Sequence, residues 1–440
     1  MSVLAKKLQS GPLRNVSVIS LHKSAQIVGQ LVAVATIPRL LGAEDHGQFA
    51  FIISLAYLGQ ILGDFGTLEV MSRFVPTLPS GEKEQLYMRT LVFKVVVGLV
   101  CALLTVMAAM WLAPWMRLSW ALLIGVGVVA HIVAWVPFQY MLGVNQIGQW
   151  MVEQSWRQWV LLLLLVALYP WLGMTGTVLA WTGMELVFCG LGLWWTRGYW
   201  QTAELRLVWA YLWPYITFGF GFFIANLVSA LLYRSGPVLV ETMTRETAQA
   251  GFLNLAIGLF LMPYLLLTQV AFSFVPTLSS FYTQGQLDQL QQWVSNFVRY
   301  SWLIGWVGVV MVWLTADWGV QFVFGPDYAQ AAAPLKWISV GIPLSALLWG
   351  ANIVATVAGQ GKLRFWSSLA ALFVFIVASL WLVPRYSATG AAIGLSLSVV
   401  ANFAVLYYFL RSIYRPAWLL YLSTGVVGGV ILWLLASLSF

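Results

Sequence analysis

The pentapeptide Phe74-Val75-Pro76-Thr77-Leu78 recurs letter for letter as Phe274-Val275-Pro276-Thr277-Leu278, an offset of 200 residues. Each copy closes a long apolar stretch and opens a polar loop ending in Gln-Leu, Gln85-Leu86 in the first case and Gln289-Leu290 in the second. The correspondence continues on both sides. Gly47-Gln48-Phe49 is matched more loosely by Ala250-Gly251-Phe252, Gly143 by Gly359, and Thr175-Gly176 by Thr389-Gly390. Landmarks that keep one order at similar offsets point to a duplicated chain.

The stretches between these landmarks belong to a membrane. Of the 440 residues 61% are hydrophobic and 8% are charged, where soluble domains carry about 45–50% and about 25%. So few charges cannot cover a water-facing surface, which excludes a soluble enzyme, a nucleic-acid binder and a disordered scaffold. One crossing of the hydrocarbon core takes about 20 apolar residues. Hydropathy and helix breakers place crossings at 15–38, 48–72, 90–113, 118–142, 151–171, 175–196, 208–233, 250–276, 297–316, 334–358, 365–383 and 389–410, with a further apolar segment at 418–438. The expected fold is an all-α polytopic membrane protein. Residues 1–200 form one six-helix lobe and 201–411 a second, and 412–440 add a terminal helix. An even number of crossings per half makes the repeats parallel, with a substrate site expected at their interface.

The net charge of +8 reads as membrane orientation. Loops on one side collect more than twice as many Lys and Arg as those on the other, Lys6, Lys7, Arg14, Lys83, Arg89 and Lys362 among them. This bias puts the N-terminus in the cytoplasm. No small-residue cleavage site follows the first apolar stretch, so the first helix is expected to stay as an anchor. Cys101 and Cys189 lie in apolar runs, which suggests neither a disulfide framework nor a thiolate metal site. His22, His46 and His131 show no metal-ligand spacing, and no G-x-x-x-x-G-K-[ST] loop is present for ATP. No cofactor or metal is expected.

Four segments resemble a known superfamily. Ile37-Pro38-Arg39-Leu40-Leu41-Gly42 with Gly47-Gln48-Phe49 resembles the R-x-L-G … G-x-F loop after the first helix of polysaccharide transporters. Phe324-Gly325-Pro326-Asp327-Tyr328 with Ala331-Ala332, Ala358-Gly359-Gln360-Gly361-Lys362, and Thr389-Gly390-Ala391-Ala392-Ile393-Gly394 are similar to further motifs of that group, in the same order. The resemblance is to the multidrug/oligosaccharidyl-lipid/polysaccharide exporter superfamily, in its Wzx-type O-antigen and exopolysaccharide flippase branch. It implies a V-shaped, MATE-like pair of six-helix lobes working by ion-coupled alternating access, not an enzyme. The cargo would be an undecaprenyl-pyrophosphate-linked oligosaccharide, moved across a bacterial inner membrane for O-antigen, capsule or exopolysaccharide synthesis. Membrane lipids, a polysaccharide polymerase and a chain-length regulator are the implied partners.

Such a cargo needs cations for its phosphates and polar groups for its sugars, and ionisable residues inside a membrane are costly enough to suggest function. Lys23 shares one face of the first crossing with Gln26 and Gln30. It sits roughly 13 Å into the span at 1.5 Å per residue, deep for a side chain that merely reaches back to the interface. Glu153 and Arg157 stand at i,i+4, either as a structural ion pair or as an Arg that exchanges its partner for phosphate. Arg234 follows Asn226, Ser229 and Tyr233 on one stripe and marks either the transport path or an interfacial anchor. Asn352, with Ser345, Thr356 and Trp349, suits a sugar or simple helix packing. Asp64, Glu185 and Glu153 are the candidates for ion coupling, with a helix–helix hydrogen bond as the alternative for the first two. Lys94 is expected to snorkel to the interface, and Glu69 to pair with Arg73.

Two other functions compete. A cation-coupled multidrug exporter would favour an acid-lined cavity over one carrying Lys23 and Arg157. A membrane polysaccharide polymerase would bring a larger polar loop than the 15–20 residues found here.

Overall fold

The computed structural model describes residues 11–200 and 208–411, together with 413, 421, 424–425 and 428–430. Among these residues the regular elements are all helical. Nine stretches among them are long and apolar enough to cross a membrane. In chain order the helices are α1 (Gly11–Leu62), α2 (Thr67–Phe74), α3 (Glu82–Leu112), α4 (Leu118–Gly143), α5 (Ile147–Leu172), α6 (Met174–Thr196) and α7 (Trp209–Thr244). They continue as α8 (Thr247–Ser273), α9 (Val275–Thr283), α10 (Leu287–Phe324), α11 (Ala332–Ser339), α12 (Gly341–Val357) and α13 (Gly361–Leu410).

Two expected loops shrink to single kinked residues. The gap at 38–48 is a kink at Gly42 (φ 74°) within α1, and the gap at 383–389 is a kink at Ser387 (φ 48°) within α13. Pro38 and Pro384 stand three or four residues earlier, where their missing donors loosen the preceding turn. Conversely, the expected crossing 48–72 is broken at residues 63–66, which separate α1 from α2.

The chain divides into two compact units, residues 1–41 with 52–230 and residues 42–51 with 231–440. The division differs from the boundary expected at residue 200, because it falls inside α7 and sends the short segment 42–51 to the second unit. In the first unit, the early part of α7 packs on the α1–α2 break. Phe223 stacks on Phe65 at 5.0 Å, and a Cβ on Gly66 would stand 2.2 Å from the carbonyl oxygen of Gly219. The core of that unit gathers Met71, Val75, Leu86, Tyr87, Val136 and Tyr140. Tyr87 and Tyr140 meet at 4.9 Å between ring centres, and the Tyr87 hydroxyl lies 2.7 Å from Thr196 Oγ1.

In the second unit, Leu290, Val294, Val298 and Trp302 of α10 pack against Ala346–Ala355 of α12 and against Phe403 and Leu406 of α13. Segment 42–51 is held by Tyr328, whose hydroxyl donates to the Gly42 carbonyl at 2.9 Å and whose ring lies 5.9 Å from those of His46 and Phe252. Gly47 and Gly251 touch: a Cβ on Gly251 would lie 2.9 Å from Gly47 N. Of the expected terminal helix, Tyr421 packs on Trp302, and Thr424 Oγ1 accepts from Trp302 Nε1 at 2.8 Å. The rest of 418–438 lies outside the described residues except for a few positions.

Two other repeat landmarks share one local geometry. A Cβ on Gly176 would stand 2.5 Å from the Leu168 carbonyl oxygen, and one on Gly390 would stand 2.4 Å from that of Leu382. Each glycine lets a helix start directly against the backbone of the segment before it. Gly143 and Gly359 do not share this likeness, since a Cβ on Gly143 would meet Met71 and Val75 while Gly359 faces open space.

Candidate functional site

Three helices of the first unit bring ionisable side chains, and a fourth an amide, to one place inside the apolar bundle. The spacing of Glu153 and Arg157 puts both on one face of α5, and Arg157 Nη1 donates to Glu153 Oε1 at 2.8 Å. Its other terminal nitrogen donates to Glu185 Oε1 on α6. Glu185 is fully buried and also accepts from Gln60 Nε2 of α1 at 3.0 Å. Its second oxygen lies 2.9 Å from His131 Nδ1 on α4. His131 Nδ1 is also 3.0 Å from Arg157 Nη1. One nitrogen cannot donate to the carboxylate and accept from the guanidinium at once, so the tautomer decides which contact is the hydrogen bond. With Nδ1 carrying the proton, His131 donates to Glu185 and leaves Arg157 to its two carboxylates.

Charge bookkeeping shows what this cluster can do. Arg157, Glu153 and Glu185 sum to −1 when His131 is neutral, and one additional proton makes the group neutral. An uncompensated charge in a low-dielectric interior is expensive. Desolvation and neighbouring charge are the levers that set such a group's protonation.

A second polar stripe lies where α1 meets α5. Lys23 Nζ donates to Gln26 Oε1 at 3.0 Å and to Gln154 Oε1 at 3.4 Å. His22 Nδ1 lies 2.8 Å from Ser155 Oγ. Among the described residues Lys23 has no carboxylate within ion-pair distance. Its side chain is half-buried, as are those of Gln26 and Gln30. Gln154 sits on α5 next to Glu153, so the Lys23 stripe and the Arg157 cluster share that helix.

Asp64 is not part of the Arg157 cluster. Its carboxylate accepts from Asn226 Nδ2 at 3.0 Å, and it lies one turn after Gln60. Arg234 and Asn352 belong to the second unit, both half-buried. Beside Arg234, the Tyr233 hydroxyl donates to that of Tyr264 at 3.3 Å, and one turn past Asn352 the Thr356 hydroxyl faces Arg364 Nη1 at 3.5 Å.

Several expectations change. Lys94 does not reach the interface: it is wholly buried, and its ammonium donates to the carbonyls of Gly63 and Asp64. Arg73 lies 4.7 Å over the Phe218 ring, and Glu69 Oε2 is without a partner. His131, passed over for want of metal-ligand spacing, is a full member of the cluster. Its signal was a lone imidazole in the very apolar α4, whose partners come from other helices and leave no local motif. Among the described residues no group of His, Cys, Asp and Glu could hold a metal ion.

The sequence profile of the family described as "Polysaccharide biosynthesis protein" matches residues 13–282. The chain is 27% identical over 143 residues to the capsular polysaccharide biosynthesis protein CapF of Staphylococcus aureus, a stretch spanning 32% of this chain and 36% of that one. The chain thus covers about a third of that relative's length. In three dimensions it is similar to an inward closed lipid II flippase MurJ, with a TM-score of 0.75 at 12% identity over 96% of this chain and 93% of the other. It is also similar to an inward-facing multidrug resistance MATE transporter of the MOP superfamily, with a TM-score of 0.70 at 13% identity over 91% and 98%. At such identities these two likenesses establish a shared fold.

Proposed function

Because the chain belongs to the polysaccharide biosynthesis protein family, we propose that it flips an undecaprenyl-pyrophosphate-linked oligosaccharide from the cytoplasmic to the periplasmic leaflet of a bacterial inner membrane. The observation that carries this reading is Lys23, a cation within a membrane helix whose described partners are two amide oxygens and no carboxylate. Its positive charge is left for an anionic group such as a pyrophosphate, and Gln26 and Gln30 offer amides to sugar hydroxyls. Arg234 and Asn352 are further candidates for contact with the cargo. Arg157 joins them only when a proton on Glu153 or Glu185 loosens its ion pairs, which couples release of its guanidinium to an ion gradient. Asp64 is a further candidate for ion coupling. The N-terminus is cytoplasmic in this reading, and a polymerase and chain-length regulator act on the flipped product.

The test is movement of a fluorescent lipid-linked oligosaccharide in proteoliposomes under an imposed pH gradient. The wild type is expected to move it, Lys23→Ala at no more than about a tenth of that rate, and Lys23→Arg close to the wild type. Glu185→Gln is expected to remove the gradient dependence. Flipping by Lys23→Ala at the wild-type rate would overturn the assignment. The acid-rich Arg157 cluster also suits a cation-coupled exporter of cationic drugs, and ethidium efflux without flipping would favour that second reading.

A further inference from the structure

Residues 63–66 interrupt what would otherwise be one helix through the first unit. α1 ends at Leu62 and α2 starts at Thr67, with Phe65 (φ 49°) and Gly66 (φ 64°) both left-handed between them. Two successive residues in that region end a helix and strand its last carbonyls. The amides of Gly63 and Asp64 still close turns onto the Gln60 and Ile61 carbonyls, each at 3.0 Å. The amide of Thr67, the first residue of α2, closes a further turn onto the Asp64 carbonyl at 3.1 Å.

The Gly63 and Asp64 carbonyls accept from Lys94 Nζ, at 2.5 Å in the case of Asp64. Thr67 Oγ1 also donates to the Asp64 carbonyl, at 2.6 Å. Lys94 comes from α3 and has no exposed surface. The carbonyl end of a helix carries partial negative charge, and backbone oxygens beside a carboxylate are the donor set a hard cation prefers. The Asp64 carboxylate, held by Asn226 Nδ2 at 3.0 Å, adds negative charge on the same residue but stands outside ion-pair distance of Nζ. The Trp135 ring, 6.0 Å from Nζ, adds an aromatic face of the kind that attracts cations.

We infer that the break at residues 63–66 is a monovalent-cation site whose resident ion is the ammonium of Lys94, carried on its own stem. Lys94 is therefore a positioning residue. It holds the break in one geometry, and through the turn that Gly63 N closes on the Gln60 carbonyl it fixes where Gln60 presents its amide to Glu185. The site is independent of what the protein transports, so its test reads cation binding and not flipping.

Purified full-length protein is unfolded by heat with its own tryptophans as the probe, in equal concentrations of choline, sodium or methylammonium chloride. Lys94→Ala is expected to lower the midpoint by several degrees in choline. Methylammonium or sodium should restore at least half of that loss relative to the wild type in the same salt, because a free cation refills the vacated cage. Lys94→Arg should stay near the wild type. Loss of stability with no difference between the salts would overturn the inference, as would a Lys94→Ala midpoint equal to the wild type. Should Lys94→Ala fail to purify, Lys94→Gln decides. It keeps a polar chain without the charge, so a midpoint well below that of Lys94→Arg supports the tethered ion, and one equal to it overturns it.

Discussion

At the scale of single residues, Arg157 is the most constrained charge in the first unit. It is bound to Glu153 and to the buried Glu185, so its removal strands two carboxylates at once. Breaking a buried pair by deleting one partner costs about 3–5 kcal/mol. Arg157→Ala is consequently a poor probe of substrate binding, because lost stability would mask it. A double-mutant cycle is cleaner. Arg157→Gln and Glu185→Gln should each destabilise, Arg157→Gln more, and the double variant should lose less than the two losses added, by more than about 1 kcal/mol. Denaturant unfolding in detergent reads this, and additive losses would show that the contact carries no energy. The Glu153–Arg157 half of the cluster was legible in the sequence because it is local, an i,i+4 pair on one helix. The links to Glu185, His131 and Gln60 were not, because they join three further helices and depend on which faces meet.

At the scale of elements, the positions of the helices were largely readable and their interruptions were not. Hydropathy reports how apolar a stretch is, and neither Gly42 nor Ser387 changes that average. The break at 63–66 did leave a signal, two glycines and an aspartate within Gly63-Asp64-Phe65-Gly66, a cluster typical of turns. An apolar window long enough to cross the membrane runs straight over it. The break also makes a steric prediction. Gly66 is left-handed and a Cβ there would collide with the Gly219 carbonyl, whereas Gly285 is left-handed (φ 72°) with nothing within 4 Å. Gly285→Ala should therefore cost only the backbone term of about 1–2 kcal/mol, and Gly66→Ala clearly more. Thermal midpoints of the two variants compare them, and equal losses would mean that α7 does not press on the break.

At the scale of the whole molecule, the distribution of Lys and Arg makes a topology prediction, with the loops of the expected positive side in the cytoplasm. In a variant with Cys101 and Cys189 replaced by Ser, a cysteine at exposed Ser80, between α2 and α3, should react with an impermeant thiol reagent only in inside-out vesicles. One at exposed Asp327, between α10 and α11, should react only in intact spheroplasts. The reverse pattern would invert the topology and with it the direction of the proposed flipping. The expected duplication rests on short words in the sequence, and the structure shows what two of those words do. Thr175-Gly176 and Thr389-Gly390 mark the same close backbone approach in the two units. The segment 42–51 eluded the reading because its packing on Tyr328 and Gly251 spans more than 200 residues of chain.

The contact at Gly176 has a mechanical consequence for the charges above it. Where two antiparallel helices meet backbone to backbone beside their connecting turn, neither can slide along the other without a clash. α5 and α6 are therefore pinned as a rigid hairpin, and Glu153, Arg157 and Glu185 ride on it together, roughly two to four turns from the pin. A rearrangement that opens the cluster has to be sought at its edges with α1 and α4, where Gln60 and His131 reach in from outside the hairpin.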